Sequence, residues 1–340
     1  MRKSPINESR IVNREPSIDN RQSSIEQTSI DTLQSQIANS FSVRVPSSSS
    51  NLGAGFDCFS LALKLHLTVT ATVDAGASEP CVVVSSGEGS AQLPSAEDNL
   101  IFRAMQFIAT QEDWQLPPVR ISVVNEIPIG RGLGSSAAAI VAGLTLASLI
   151  CGQKLSANEL LRYAFEIEGH ADNAAAGVYG GLVVSTVKAD GDVVVVKRPW
   201  PNDLKVIVVS PDVQLKTADA RHVLPEMVKR TDAVFNLQRV ALFGAALESG
   251  QYDLLWEAMQ DRLHQKQRQG MVPGLAEALA IPRQPGLLGV ALSGSGPSVV
   301  AIAQDHAPAI WEALEAKFRS HDLKATVRVL EVDEEGCKVI

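Results

Sequence analysis

Cysteine is scarce in this 340-residue sequence, and its four copies, Cys58, Cys81, Cys151 and Cys337, form neither a CxxC pair nor a Cys/His cluster with zinc spacing. A disulfide scaffold is therefore not expected, and reduced thiols in a cytoplasmic protein are. Long apolar runs are missing as well. No uncharged apolar stretch reaches the roughly 18 residues of a membrane span. The 137–150 stretch is too short and carries Thr145 and Ser148. There is no apolar h-region near the start, so no secretory signal is expected. A transit peptide would be poor in acid, yet Glu8, Glu15, Asp19, Glu26 and Asp31 are spread along that segment. Long basic runs are absent too, and the net charge is −8, so neither nucleic acid nor a membrane is an expected partner. No internal repeat is found.

What is present is enough for a substantial core: 45% of residues are hydrophobic, and the length allows two ordinary domains or one large one. Residues 1–39, rich in Ser, Asn, Gln and Ile, read as a disordered tail. The folded part begins near Phe41. Phe41, Val43 and Val45 alternate with polar residues as a short strand stopped by Pro46. Strands are predicted over 61–73, 81–85 and 119–124, and a helix over 99–110 with Asp98 as its N-cap. Ala137 to Ile150 reads as a buried helix and 158–168 as an amphipathic one. Strands at 182–187 and 193–196 form a predicted pair. A boundary near 199–203 would divide an N-terminal domain (40–203) from a C-terminal one (204–340). The second half predicts a strand at 204–210 and two or three helices between Asp219 and Gln269. Paired strands at 287–292 and 298–303, a helix at 308–320 and a last strand at 325–332 follow. That order describes an α+β sandwich with an antiparallel sheet.

The chain is organised around Pro128-Ile129-Gly130-Arg131-Gly132-Leu133-Gly134-Ser135-Ser136-Ala137-Ala138. Three alternating glycines let the backbone turn tightly beside a ligand. A helix N-terminus after such a turn leaves several amides unpaired and suits phosphate. Alone, the pattern also fits a plain turn before a helix. It is not a Walker A loop, because no Gly-Lys-Ser/Thr follows, and its third glycine comes one residue too early for a dinucleotide fingerprint.

Two further loops stand with it, 46–57 (Pro-Ser-Ser-Ser-Ser-Asn-Leu-Gly-Ala-Gly-Phe-Asp) and 292–297 (Leu-Ser-Gly-Ser-Gly-Pro). In this order and at these separations the three resemble the motifs of the GHMP small-molecule kinases. Within them, Glu168-Gly169-His170-x-Asp172-Asn173, Leu215-Lys216-Thr217-x-x-x-Arg221 and Asp261-Arg262-Leu263-His264-x-x-x-Arg268 are similar to homoserine kinase motifs. The resemblance covers about residues 41–335. The chain departs from the family at Ser50, Ser60, 174–178 and 265–267, where Gln-Lys-Gln replaces the usual Glu-Pro.

The resemblance implies a GHMP kinase fold, with an N-terminal domain like the second domain of ribosomal protein S5 and a ferredoxin-like C-terminal domain. It implies ATP as co-substrate, Mg²⁺, L-homoserine as substrate, a step towards threonine, and a homodimer. Residues 128–138 would take the triphosphate and Asn99 would lie near adenine. Glu168 and Ser136 would hold the metal, since Mg²⁺ favours hard oxygen ligands. The substrate carboxylate would meet Arg221 and Arg268, because guanidinium supplies a bidentate fork. Thr217 belongs to the same substrate site. Asp57, with His170 nearby, would face the ammonium, and Asn51 and Asn173 would orient the attacking hydroxyl. No catalytic base is evident, although Asp172 is adjacent.

Overall fold

The structure, a computed structural model, describes residues 39–94, 96 and 98–340. The expected tail lies, but for its last residue, outside these. The first half runs β1 (Ser40–Asn51), β2 (Gly55–Val73), β3 (Cys81–Gly87), α1 (Leu100–Gln111), β4 (Val119–Asn125) and α2 (Ser135–Ile150). It continues through α3 (Ala157–Glu168), α4 (Asp172–Tyr179), β5 (Leu182–Val187) and β6 (Val193–Arg198). Then come β7 (Lys205–Pro211), α5 (Thr217–His222), α6 (Arg230–Ser249), α7 (Leu255–Ala258), α8 (Gln265–Arg268) and α9 (Leu275–Leu279). The chain closes with β8 (Leu287–Leu292), β9 (Val299–Ala303), α10 (Ala307–Arg319), β10 (Ala325–Leu330) and β11 (Lys338–Val339).

The strands form two sheets. In one the order is β11-β1-β2-β4-β3, with β5 on β2 and β6 on β5. In the other it is β10-β7-β9-β8, antiparallel throughout. Strand β7 shows why its sequence reads as one apolar run. Val206 and Val208 point to a core shared with Phe243 and Leu255, while Ile207 and Val209 face Ile310, Leu314 and Phe318 of α10. Side chains alternate across a strand, so a sheet covered on both faces must be apolar at every position.

Helix α2 has no charged residue and is buried almost all round, as a helix apolar on every side requires. Gly143 lets α1 come close: a Cβ there would lie 2.3 Å from the Ile101 carbonyl oxygen. From α1, Ile101, Phe102, Met105 and Ile108 are buried, each stabilising by about 1.5–3 kcal/mol.

Several expectations are corrected. Strand β1 does not stop at Pro46 but runs to Asn51, because the serines that follow find partners inside the protein. Ser47 Oγ donates to the Leu63 carbonyl at 3.2 Å, and Ser48 N to the Leu133 carbonyl at 3.1 Å. Asn99, not Asp98, caps α1, its Oδ1 accepting from Ile101 N at 3.0 Å. Four helices, α5 to α8, occupy the segment expected to hold two or three; those of four residues are too short to show a period. Helix α4 was not expected. Its Ala174, Ala175, Ala176 and Gly177 are buried, and small side chains carry little amphipathic signal. The last expected strand ends at Leu330, and the chain returns to pair Val339 with Val43 of β1.

Candidate active site

One cavity of ≈ 490 Å³ gathers nearly all the residues singled out from the sequence. Asn51, Asp57, Asn99, residues 128–137, Glu168, His170, Asn173, Thr217, Arg221 and Arg268 line it. Ala138 does not: it is buried in the core, one turn into α2.

The wall at the glycine stretch is backbone. Gly130, Gly132 and Gly134 have φ of 65°, 72° and 71°, a region that side chains rarely adopt. Space forbids a side chain too: a Cβ on Gly132 would sit 2.2 Å from the Ser293 carbonyl oxygen, and one on Gly134 2.1 Å from Ser48 Oγ. Helix α2 then starts with no side-chain cap. Ser135, Ser136 and Ala137 of its first turn line the cavity, which there meets the positive end of the helix dipole. Arg131 contributes no free charge, because Nη2 pairs with Asp212 Oδ1 at 2.6 Å and Nη1 donates to the Pro211 carbonyl. Asn99 is likewise engaged, capping α1 and donating through Nδ2 to the Pro94 carbonyl at 2.9 Å.

The three loops are bonded to one another. Asn51 Nδ2 donates to the Gly294 carbonyl at 2.9 Å, and its Oδ1 accepts from Asp57 N at 3.1 Å. Ser293 Oγ donates to the Gly132 carbonyl at 2.7 Å, and Gly294 N donates to the Ser50 carbonyl at 3.1 Å. The Asn51 amide thus joins loops, and its φ of 73° is left-handed. Such strain persists only where surrounding contacts over-determine it.

At α3's end, Glu168 Oε2 is closed off from solvent without a hydrogen-bond partner. Burial raises its pKa, against the pull of the His170 charge and of the Ser136 hydroxyl. Asp172 is buried, its Oδ1 bonded to His170 Nδ1 at 3.1 Å and to Asn173 N at 2.8 Å. Burial works against the His170 cation, but Asp172 and Glu168 outweigh it and raise its pKa. Asn173 accepts from Ser48 Oγ at 2.8 Å and donates to Ser50 Oγ at 3.1 Å. The departure at Ser50 therefore supplies a partner for Asn173. Gln265 Oε1 accepts from Leu292 N at 2.6 Å, whereas Ser60 Oγ and Gln267 Oε1 are buried without partners.

The opposite end is built of charge. Arg221 forms a two-pronged pair with Asp57, Nη2 to Oδ1 at 2.7 Å and Nη1 to Oδ2 at 3.1 Å. Arg268 is buried, its Nε donating to the Ala220 carbonyl at 3.0 Å and its Nη1 to the Gly294 carbonyl at 3.3 Å. Burial, and then the like charge of Arg221, bring its pKa down to about 10. The Phe56 ring lies 5.7 Å from Arg221 Cζ and 5.4 Å from Arg268 Cζ, within cation–π range.

Sequence reasoning missed Lys216, Ser48 and His264. Lys216 is exposed on the cavity wall between Leu215, whose N donates to the Gly130 carbonyl at 2.8 Å, and Thr217, which meets Ser295 Oγ at 3.4 Å. It lies within a quoted motif, so its position was legible and its direction was not.

Comparison with known proteins places this cavity in a family. The GHMP kinases N terminal domain matches residues 99–181 and the GHMP kinases C terminal domain residues 236–320. The class is that of small-molecule kinases, with ATP as co-substrate. The homoserine kinase of Caldicellulosiruptor saccharolyticus is 39% identical over 300 residues, 88% of this chain and 96% of the relative. That of Desulfitobacterium hafniense is 40% identical over 299 residues, 88% of this chain and 99% of the relative. The crystal structure of homoserine kinase from Cytophaga hutchinsonii aligns with a TM-score of 0.77 at 29% identity, covering 89% of this chain and 98% of that one. This chain belongs to the homoserine kinase family of the GHMP kinases.

Proposed function

We propose that the chain transfers the γ-phosphoryl group of ATP to the hydroxyl of L-homoserine, giving O-phospho-L-homoserine. One observation carries the reading: Asp57, Arg221 and Arg268 share a cavity with the glycine stretch. An amino acid presents an ammonium beside a carboxylate, and the Asp57–Arg221 pair presents the opposite charges beside each other. The zwitterion exchanges that pair for one with itself, ammonium to Asp57 and carboxylate to Arg221 and Arg268. His170 and Thr217 stand at the edges of the same pocket.

The triphosphate lies along 128–137, held by loop amides and the start of α2. Phosphoryl transfer needs positioning and charge neutralisation more than covalent help. The homoserine oxygen forms its bond to the γ-phosphorus as the bond to the bridging oxygen of ADP breaks, and the hydroxyl proton passes late to an oxygen of the transferred phosphoryl group. Asn173 orients the hydroxyl; Asn51 holds the loops that place it. Asp172 is bonded to His170 and Asn173, which favours direct attack over a carboxylate base.

Magnesium fits the residues present. The partnerless Glu168 oxygen is a buried acceptor that a cation would satisfy. Among the described residues no group of three or more metal-ligating side chains gathers, so Glu168 and Ser136 would hold the ion together with phosphate oxygens. Bound there, Mg²⁺ would neutralise phosphate charge.

The reading extends to an enzyme divided near residue 203, working in the cytoplasm as a homodimer. Cys58, Cys81, Cys151 and Cys337 are not joined in disulfides, which supports a reducing compartment. Among the described residues no helix is long and apolar enough to cross a membrane. A coupled assay with Mg-ATP and homoserine, serine, threonine or mevalonate tests the proposal. Turnover with homoserine well above the rest is expected; preference for mevalonate, or ATP binding without any turnover, overturns it.

A further inference from the structure

His264 faces no solvent and does not line the cavity, yet it bonds to Gly53 of the 46–57 loop and to Arg268. Its Nε2 lies 2.9 Å from the Gly53 carbonyl oxygen, and its Nδ1 lies 3.1 Å from Arg268 Nη1. A carbonyl only accepts and a guanidinium only donates. Both bonds therefore exist together in one form of the ring: neutral, with the proton on Nε2 and a lone pair on Nδ1. Phe56 stacks on the imidazole at 5.0 Å between centroids, so the ring plane is fixed as well.

The segment that carries His264 is itself tied down. Asp261 accepts from the backbone N of Leu263, His264 and Gln265 at 3.0, 2.9 and 2.8 Å, and from Asn236 Nδ2 at 2.7 Å. Asn236 Nδ2 also donates to the Ala54 carbonyl at 3.1 Å. The charged groups around the ring are Asp261, 3.8 Å away, Arg268 and Asp57. Burial holds the imidazole pKa below its ordinary value, although Asp261 pulls the other way.

We propose that His264 is a positioning residue for substrate: as the Nε2–H tautomer it clamps the Gly53 turn with one nitrogen and aims the Arg268 guanidinium with the other. Arg268 Nε and Nη1 are occupied by Ala220, Gly294 and His264, which leaves Nη2 for the cavity. The inference rests on the substrate-carboxylate role given to Arg268 above.

Two substitutions separate the two bonds. His264→Gln keeps a donor near the Nε2 position and loses the acceptor for Arg268; His264→Asn keeps an acceptor near the Nδ1 position and loses reach to Gly53. For His264→Gln the KM for homoserine should rise about ten-fold, the worth of one charge-assisted hydrogen bond, with the KM for ATP and the Tm nearly unchanged. For His264→Asn the Tm should fall while the KM for homoserine stays closer to that of the unaltered enzyme. Parallel losses for both substrates and in Tm with His264→Gln, or an unchanged homoserine KM, overturn the proposal. The ¹⁵N spectrum of histidine-labelled, unaltered enzyme near neutral pH gives a readout without turnover. An unprotonated Nδ1 on His264 is expected, and a protonated one overturns the tautomer. An Nε2–H tautomer in an enzyme that ignores homoserine would instead sink the substrate reading alone.

Discussion

The two ends of the cavity solve the same problem with different materials. Towards the glycine stretch the wall is main chain, and its positive character comes from amides and the start of α2. Towards α5 and α8 the wall is formal charge, Arg221 and Arg268 against Asp57. A backbone site is specified by what is absent, since any Cβ would close it. A charged site is specified by what holds the charges apart and aimed. The first kind fails when something is added and the second when something is removed.

The largest effect is expected where an added atom meets backbone. Gly132→Ala puts a methyl 2.2 Å from the Ser293 carbonyl oxygen at a φ of 72°. The left-handed conformation alone costs about 1–2 kcal/mol, and the clash must also part the two loops. Activity in the coupled assay should fall by about a hundred-fold or more, since small displacements of positioned groups are costly in catalysis. Gly250→Ala is the control: its φ is 69°, but nothing lies within 4 Å of the added carbon. It should lose stability and keep full activity. Equal activity losses at the two glycines would break the comparison.

Glu168→Gln comes next. It keeps the shape of a carboxylate whose Oε2 has no partner and removes its charge. The Mg²⁺ concentration for half-maximal rate should rise by at least about ten-fold, because a lost charge contact in a low-dielectric site is worth more than a kcal/mol. An unchanged Mg²⁺ titration removes Glu168 from the metal.

Arg221→Ala tests the charged end. Removing one fork should raise the KM for homoserine by about ten- to a hundred-fold, as for a charge-assisted hydrogen bond worth roughly 1.5–3 kcal/mol. The KM for ATP should move little. Because Arg221 also pairs with Asp57, a parallel loss for both substrates would mean that the arginine braces the hairpin between β1 and β2.

The same contrast explains what could be read from the sequence. The glycine stretch, the buried helix behind it and most strands are local patterns of period, turn chemistry and charge, and they are found where expected except at the ends of β1, β2 and β10. Asp57, Arg221 and Arg268 were placed through motifs rather than physics, since nothing local tells a cavity arginine from a surface one. What stayed hidden depends on partners far along the chain. Asn51 is bound to Gly294 and His264 to Gly53. The buried serines after Pro46 became strand only because Leu63 and Leu133 meet them. The β11 strand has two residues and carries no period at all.

The smallest effect on the site, and a test that stability and recognition are separable, lies at Asp333. This buried carboxylate accepts from His66 Nε2 at 2.8 Å and from the backbone N of Glu335 and Gly336, each at 2.9 Å. Burial opposes its charge, but those bonds outweigh burial and bring its pKa down to about 2. A depressed acid stabilises the fold above its unfolded pKa, and that contribution is lost as pH falls from the ordinary carboxylate range through about 2. Asp333 sits where the chain turns back to the first sheet, its N donating to the Ala62 carbonyl at 3.0 Å. Asp333→Asn should therefore cost about 1–3 kcal/mol near neutral pH and flatten the acid limb of the Tm-against-pH curve. Both KM values should stay within about two-fold, since neither Asp333 nor any of its hydrogen-bond partners lines the cavity, and residues that share no partners with a site seldom couple to it strongly. A homoserine KM that moves with Asp333 would show that the charged end draws on this return of the chain as well as on α5 and α8.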